Sequence, residues 1–301
     1  MKRLFAAACV VVLVSLLAAA AVAAEKPRTW NVPDRVRKAI EKAAPEVAPQ
    51  KPQRPRKVLV YGRVRTHPES VACCFVAMEV LAKKTGAFEA VLSGDPEQFA
   101  PENIKRFDAV VMNNTHEQRP MTPEDFAQLG PEDKKTAEAR EAVLKRGLLD
   151  YVASGGGIVG IHGATAGVRW DAFNEMLGGQ YGGHVTESVW VKPDEPRHPL
   201  CKMFGAKPFE VRDEIYLFRQ PYDRKKLRVL TVLDLGKTKD PGNRPDKDYA
   251  VSWVRPWGKG RVFYGSLGHV SASYTNPLVL RHYLAGIQFA TGDLKADTSP
   301  R

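Results

Sequence analysis

Short apolar runs alternate with helical patterns through the first half of the chain. Leu144, Leu148 and Val152 recur every four residues inside a charged stretch, which is the spacing of one face of a helix. Glycines follow the helical patterns, as at Gly86, where helices commonly end. The patterns predict helices over residues 70–84 and 132–152, and strands over residues 57–62, 88–92, 107–113 and 158–161. Because strands and helices alternate, we expect a parallel sheet here.

The second half of the chain is richer in strands. Apolar runs predict strands over residues 185–191, 209–218, 227–233, 249–254 and 261–267. A last helical pattern covers residues 277–290 and ends at Gly292. We find no internal repeat and no second domain boundary, so one α/β domain is predicted.

Residues 1–24 have the pattern of a signal peptide. Lys2 and Arg3 precede an apolar run that ends in small residues at positions 21–24. We therefore expect an exported protein, periplasmic or extracellular after signal-peptide cleavage; an uncleaved anchor is the alternative. No second apolar stretch of spanning length follows, so no stable membrane span is expected after cleavage.

The composition indicates how the rest of the chain is organised. Residues 25–56 are rich in proline and basic side chains, with one short helical pattern at 35–44, and we interpret them as an arm or linker. The domain is predicted over residues 57–292, with a C-terminal tail at 293–301. After removal of the signal, Cys73, Cys74 and Cys201 remain, an odd number that indicates neither a disulfide framework nor a zinc finger.

The chain is basic, with a formal net charge of +11 at pH 7, to which Lys2 and Arg3 contribute two. Much of the excess lies at residues 51–57 and 224–226, with little of the aromatic interleaving that a nucleic-acid platform needs. We therefore expect no nucleic-acid partner.

A glycine-rich stretch leads into a buried strand that ends in a polar residue. In Gly-Gly-Gly-Ile-Val-Gly-Ile-His-Gly-Ala, residues 155–164, His162 lies between the strand and Gly163. Open α/β sheets bind ligands at such strand ends. In other enzymes a similar turn projects a Ser or Cys nucleophile, and here His162 stands in that position. We therefore expect neither glutamine amidotransferase nor serine hydrolase chemistry.

Further motifs follow in a fixed order along the chain. They are His198-Pro199, Asp-Glu-Ile-Tyr at 213–216, the stretch from Trp253 to Trp257, and Gly-Arg-Val-Phe-Tyr-Gly-Ser-Leu-Gly-His at 260–269. With the glycine-rich stretch, this ordered set resembles the motifs of the ThuA-like (trehalose-utilisation) family, over residues 57 to about 292.

The resemblance implies the fold of class I glutamine amidotransferases, without their catalytic triad. That fold is a flavodoxin-like, mostly parallel sheet with helices on both faces. The resemblance also implies a small-molecule carbohydrate ligand, such as trehalose or another glycoside. A secreted sugar dehydrogenase that generates 3-keto sugars is the protein partner it suggests.

Polar residues in or beside these motifs form the predicted site. We predict catalytic roles for His162, His269 and Glu214, and substrate binding by His184, His198, Tyr216 and Trp253. Each residue has a structural alternative: His269 could make a capping hydrogen bond, His198 could cap a turn, and Trp253 could belong to the core. His67 and His116 follow strand ends and could rim the pocket, whereas His282 lies on the last helix and is expected to be structural.

No cofactor is predicted, and metal binding stays open. Three ligands would have to converge at about 2.0 to 2.2 Å on a divalent ion, and no H-x-x-x-H spacing supplies them locally. Three functions fit the sequence: an enzyme using histidine acid/base chemistry on a glycoside or 3-keto sugar, a non-catalytic sugar-binding or accessory protein, and a scaffold without chemistry. An ordinary glycosidase would need two carboxylates, and the motifs supply one.

Overall fold

The computed structural model describes residues 30–63, 67–116, 119–166, 170–242 and 244–301 as a mixed α/β protein. The signal peptide expected at residues 1–24 lies outside these residues, as does the start of the arm. Of the helices in the described ranges, none combines the length and the hydropathy that a bilayer crossing demands.

The elements agree closely with the predicted ones. The α-helices are α1 (Asp34–Ala43), α2 (Pro68–Thr85), α3 (Pro101–Ile104), α4 (Pro131–Ala153), α5 (Asp171–Leu177), α6 (Ser271–Tyr274) and α7 (Pro277–Thr291). The strands are β1 (Lys57–Tyr61), β2 (Glu89–Ser93), β3 (Ala109–Asn113), β4 (Gly157–Ile161), β5 (Gln180–Pro193), β6 (Phe209–Arg219), β7 (Arg228–Leu233), β8 (Ala250–Trp257) and β9 (Gly260–Gly265). Short 3₁₀ helices cover Pro96–Phe99, Phe126–Gln128, His162–Thr165, Pro199–Phe204 and Arg224–Lys226.

All of these strands form one sheet, in the order β2-β1-β3-β4-β9-β8-β7-β5-β6. The five strands from β2 to β9 pair in parallel, and the pairs from β9 to β6 are antiparallel. The expectation of a mostly parallel sheet therefore holds for only half of it. The connection from Trp257 to Gly260 is too short for a helical crossover, so β8 and β9 can pair only as a hairpin.

Helices cover both faces of the sheet, as predicted. Val58 and Val60 of β1 pack in a core with Phe75 of α2, whereas the alternate residue Leu59 packs in a second core with Leu144 of α4. This separation follows from the two-residue period of strand side chains. It also explains why the sequences of the strands in the parallel half are continuous apolar runs, since both faces of these strands are buried.

Residues 30–56, which the prolines suggested to be an arm or linker, lie packed on the domain. The Trp30 ring stacks on Phe75 with centroids 3.9 Å apart, and Ile40 of α1 is fully buried. The Arg56 guanidinium forms a buried ion pair of 2.6 Å with Asp293, which starts the predicted tail. The segment thus covers α2 and ties the two ends of the described chain together.

The β5–β6 hairpin extends away from the rest of the sheet. β5 pairs with β7 only from Val191 to Pro193, whereas it pairs with β6 along most of its length. At the other end of the hairpin, the Tyr216 N–H donates to Ser266 Oγ at 3.0 Å, in the segment that follows β9. The hairpin therefore lies against the carboxyl ends of the parallel strands.

Candidate active site

Five of the seven predicted site residues come together where the β5–β6 hairpin meets the parallel strands. His162 follows β4, and His269 lies in the segment after β9. The hairpin contributes His184 from β5 and Glu214 and Tyr216 from β6. His184 is paired with Tyr216 across the hairpin, next to an irregularity in the register between Tyr181 and His184.

His162 is fully buried and held in one orientation. Its φ of +43° lies in the left-handed region, which is unusual for a residue other than glycine. Its Nδ1–H donates to the Ser266 carbonyl oxygen at 2.7 Å, and its own carbonyl accepts from the Tyr264 hydroxyl at 2.8 Å. Because a carbonyl only accepts, the neutral ring carries its lone pair on Nε2. Burial, together with nearby imidazoles, lowers the pKa of His162 well below its ordinary value.

The Nε2 lone pair of His162 points toward the side chains of His269 and Glu214. His162 Nε2 lies 3.2 Å from His269 Nδ1 and 3.7 Å from Glu214 Oε1. The other carboxylate oxygen of Glu214 lies 3.7 Å from His269 Nε2, and His184 Nδ1 lies 3.6 Å from Glu214 Oε1. We call His162, Glu214 and His269 the triad cluster.

The members of this site differ in how far a ligand can reach them. The His184 side chain is 41% exposed, that of His269 22% and that of Glu214 13%, whereas the His162 side chain has no exposed surface. A substrate bound at this site would therefore touch His269, Glu214 and His184. His162 can act only through them or through an ion that they share.

His67 and His116 extend the site on its other side. The His67 ring lies 4.2 Å from that of His116 and 4.9 Å from that of His269, measured between centroids. His116 Nδ1–H donates to the Asn114 carbonyl at 3.0 Å, which leaves Nε2 to accept from the Tyr216 hydroxyl at 2.9 Å. Burial lowers the pKa of His116 to about 4, and it also lowers the pKa of His67. Two imidazoles with lowered pKa values therefore flank the triad cluster on this side.

The triad cluster is a group of residues that could hold a divalent metal ion. The three residues can each offer one ligand atom, and these atoms lie within 4.8 Å of one another. Two ligands held about 2.1 Å from an ion at the tetrahedral angle would be about 3.4 Å apart. This is near the 3.2 Å from His162 Nε2 to His269 Nδ1 and the 3.7 Å from His162 Nε2 to Glu214 Oε1. Two neutral imidazoles and one carboxylate are also a common catalytic zinc set. The ligands come from three different elements, which explains why the sequence shows no compact metal motif.

Asp213 supports this site from behind and was not among the predicted residues. It is 1% exposed, and both of its oxygens accept hydrogen bonds from N–H or hydroxyl groups. Burial raises the pKa of Asp213, and these hydrogen bonds oppose that effect. The available signal was its place in the same four-residue motif as Glu214 and Tyr216.

The structure places His198 and Trp253 outside the site. His198 caps the 3₁₀ helix that follows it, accepting from the Leu200 N–H at 3.3 Å, and its Nε2–H donates to the Asp297 carbonyl at 3.0 Å. Trp253 is fully buried in β8 and donates to the Leu177 carbonyl at 2.8 Å. His198 therefore caps a turn and Trp253 belongs to the core, which are the structural alternatives given for them above. Their polar atoms already have partners in the fold.

Comparison with known proteins supports the motif-based resemblance. Among solved structures, the chain is similar to a ThuA-like protein from Bacteroides uniformis, with a TM-score of 0.59, 21% identity, and coverage of 80% of this chain and 93% of that one. A ThuA-like protein from Parabacteroides merdae gives a TM-score of 0.54 at 17% identity, covering 82% and 98%. A cytoplasmic protein from Salmonella typhimurium gives 0.52 at 11% identity, covering 78% and 98%.

At these identities the structural matches show a shared fold and nothing more. Comparison with curated proteins gives no match. The family model described as ThuA, trehalose utilisation, matches residues 57–290, which is most of the chain. The chain therefore belongs to the ThuA family.

Proposed function

We propose that this protein is an exported enzyme that acts on a glycoside or an oxidised (3-keto) sugar by histidine-assisted acid/base chemistry. The observation that carries the proposal is the partly exposed pair His269 and Glu214, with the buried Nε2 of His162 directly behind it. Membership of a family described by trehalose utilisation supports a sugar-related role.

The hydrogen bonds of the site support His269 as the base. His162 donates through Nδ1 to Ser266, so its Nε2 accepts the proton of His269 Nδ1. His269 then carries its lone pair on Nε2, on the side of the ring that faces Glu214. An imidazole oriented in this way is suited to take a proton from a bound substrate.

A 3-keto sugar offers a proton that such a base can remove. The carbonyl at C3 acidifies the hydrogen on C2, and after its removal the electron pair is held on the carbonyl oxygen as an enolate. The enolate can then re-form the carbonyl while the bond from C1 to the glycosidic oxygen breaks. The departing oxygen takes its proton from the protonated His269 or from water. Lyase and isomerase reactions share the first step, and a hydratase would run the elimination in reverse, ending with addition of a proton at C2.

Ordinary glycoside hydrolysis fits this site less well. It uses two carboxylates that flank the scissile bond. Among the described residues of the site, Glu214 is the only carboxylate facing the cleft, because Asp213 is buried and its oxygens are occupied. One carboxylate beside several imidazoles suits proton transfer next to a carbonyl better.

A metal ion is compatible with the same residues. His162, His269 and Glu214 would hold a divalent ion, which as a Lewis acid would polarise the keto oxygen of the substrate. His184, whose Nδ1 lies 2.8 Å from the Tyr181 hydroxyl, would remain the exposed group able to move a proton.

The proposal includes three further parts. The core is flavodoxin-like, supported by the order β2-β1-β3-β4-β9 of its parallel strands. Export is supported by the signal-peptide pattern of residues 1–24. A secreted sugar dehydrogenase would supply the 3-keto substrate, because a 3-keto sugar forms by oxidation of the C3 hydroxyl.

The test is proton NMR of a 3-keto-glucoside and of trehalose, each incubated with purified residues 25–301. The wild type is compared with His269→Gln and with His198→Gln, a matched control outside the site. Each protein is used after chelator treatment and again with added Zn²⁺ or Mn²⁺. We expect turnover of the keto sugar by the wild type and His198→Gln, and its loss in His269→Gln.

The other outcomes contradict the proposed enzymatic function. Broadened sugar resonances without turnover would favour the sugar-binding or accessory protein. Sharp, unchanged resonances under every metal condition would favour a scaffold without chemistry. Equal loss of turnover in both variants would remove His269 from the proposed role.

A further inference from the structure

Asp213 gathers hydrogen-bond donors from two separate parts of the chain. Its Oδ1 accepts from the backbone N–H of Glu214 at 2.8 Å and of His269 at 3.0 Å. Its Oδ2 accepts from the Gly268 N–H at 2.6 Å and from the Ser273 hydroxyl. Oδ1 also lies 3.3 Å from the Val270 N–H. One carboxylate thus joins β6 to the segment between β9 and α6.

Both of the joined parts carry a residue that faces the cleft. Glu214 follows Asp213 on β6, and His269 lies in the segment whose three consecutive N–H groups point at Asp213. Gly268 has a φ of +138°, which allows this segment to turn its N–H groups inward. Without an anion at this place, four backbone N–H groups and a hydroxyl would lose this acceptor.

We propose that Asp213 is a positioning residue that fixes His269 relative to Glu214. With 1% of its surface exposed and its oxygens occupied, it does not touch substrate and acts only through these two neighbours. Its effect on the arrangement of His269 stands on the geometry alone, whereas its effect on turnover rests on the proposed function. Supporting groups of this kind typically change activity or metal affinity about 10- to 100-fold when they are removed.

The test is Asp213→Asn, which keeps the size of the side chain but turns one acceptor oxygen into an NH₂ group. The matched control is Asp293→Asn, which alters another buried carboxylate that holds Arg56 and the Gln53 N–H. The histidine rings of ¹⁵N-labelled protein are observed by long-range ¹H–¹⁵N correlation at one fixed pH. His269→Gln assigns the His269 signals.

We expect Asp213→Asn to move the ring signals of His269 and to leave those of His282 in place. Asp293→Asn should lower Tm without moving the His269 signals. If the wild type turns over a keto sugar, Asp213→Asn should lower kcat about 10- to 100-fold. Should Asp213→Asn fail to fold, Ser273→Ala removes a single donor to the same carboxylate and should move the His269 signals by less.

Two results would overturn the proposal. One is a folded Asp213→Asn protein whose His269 signals match the wild type. The other is an equal shift of His269 in Asp213→Asn and Asp293→Asn, which would reflect general loosening. If no variant turns over sugar but the His269 signals still move, the positioning role stands and the proposed function fails.

Discussion

At the scale of single residues, the site depends on space that glycine leaves for imidazole rings. A Cβ atom added to Gly163 would lie 2.1 Å from Cε1 of His116. The preceding residue, His162, already has a positive φ of +43°. The turn after β4 therefore leaves room for the His116 ring only because Gly163 has no side chain.

Gly163→Ala should displace the His116 ring and break its contact with the Tyr216 hydroxyl. We expect the free energy of unfolding to fall by about 1–3 kcal/mol, as is usual for overpacking a buried site. Urea unfolding measures this change, with Gly130→Ala as the control because its added Cβ meets nothing closer than 3.9 Å. Equal stability of the two variants would contradict this account of Gly163.

The sequence predicted the site where strand ends carry polar residues, as at His162 and His269. It could not separate Trp253 from a sugar-binding aromatic residue, because an indole in the core and one in a cleft follow the same strand pattern. Asp213 was not predicted as a site residue, because its role depends on N–H groups from a segment far along the chain. Contacts of that kind are set by the tertiary fold.

At the scale of elements, the β5–β6 hairpin brings half of the site to the parallel strands. The register of its strands shifts between Tyr181 and His184, so that one extra residue is accommodated in β5. Gly183 in this bulge has a φ of +136°, and an added Cβ would meet no atom within 4 Å. The constraint at Gly183 is therefore one of backbone conformation rather than of space.

Gly183→Ala should cost about 1–3 kcal/mol through backbone strain and should shift His184 relative to Glu214. Gly205→Ala is the control, since Gly205 also has a positive φ of +56° and open space but caps a 3₁₀ helix outside the site. Both variants should lose stability in urea unfolding. Only Gly183→Ala should move the ring signals of His184, and unchanged His184 signals in that variant would refute this role for the bulge.

Most elements were predictable from periodicity, because nearly every strand and long helix has a continuous buried face. The antiparallel pairing of the strands in the second half was not predictable from periodicity. A strand in a hairpin and a strand after a crossover have the same apolar pattern, and only the two-residue connection between β8 and β9 distinguishes them. The short helix α5 also lacked enough turns to show a period.

At the scale of the whole molecule, the segment before β1 is part of the fold. Ile40 of α1 is fully buried, and Trp30 stacks on Phe75 of α2. Ile40→Ala should therefore lower the free energy of unfolding by about 2–5 kcal/mol, whereas a mutation in a free linker would change nothing. Thermal and urea unfolding measure this, with the exposed Val47, 78% accessible, replaced by Ala as the control. Equal stability of the two variants would mean that the segment does not pack as described.

Buried neutral histidines should make the protein sensitive to acid. Burial lowers the pKa of His282 to about 4, with a smaller contribution from His198, whereas a histidine in the unfolded chain titrates near about 6.5. Below the higher value the unfolded chain binds a proton that the folded protein excludes. The free energy of unfolding should therefore fall between about pH 6.5 and about pH 4, with His282 contributing on the order of 3 kcal/mol.

Urea unfolding at about pH 7, 5.5 and 4.5 measures this dependence in the wild type and in His282→Gln. The variant should be less stable at about pH 7, because it loses the bonds of His282 to Leu200 and Ser252. Its stability should fall less steeply as the pH drops. Parallel pH profiles for the two proteins would show that His282 is not buried in its neutral form.

The central claim is that His269, oriented by His162 and placed beside Glu214, removes a proton next to the carbonyl of a keto sugar. The most direct measurement is NMR of a 3-keto-glucoside in D₂O with the wild type and with His269→Gln. It follows exchange of the C2 proton for deuterium or its loss by elimination. We expect the wild type to accelerate this change and His269→Gln to abolish the acceleration. A C2 proton that exchanges no faster with the wild type than in buffer alone, with or without added divalent ions, would contradict it.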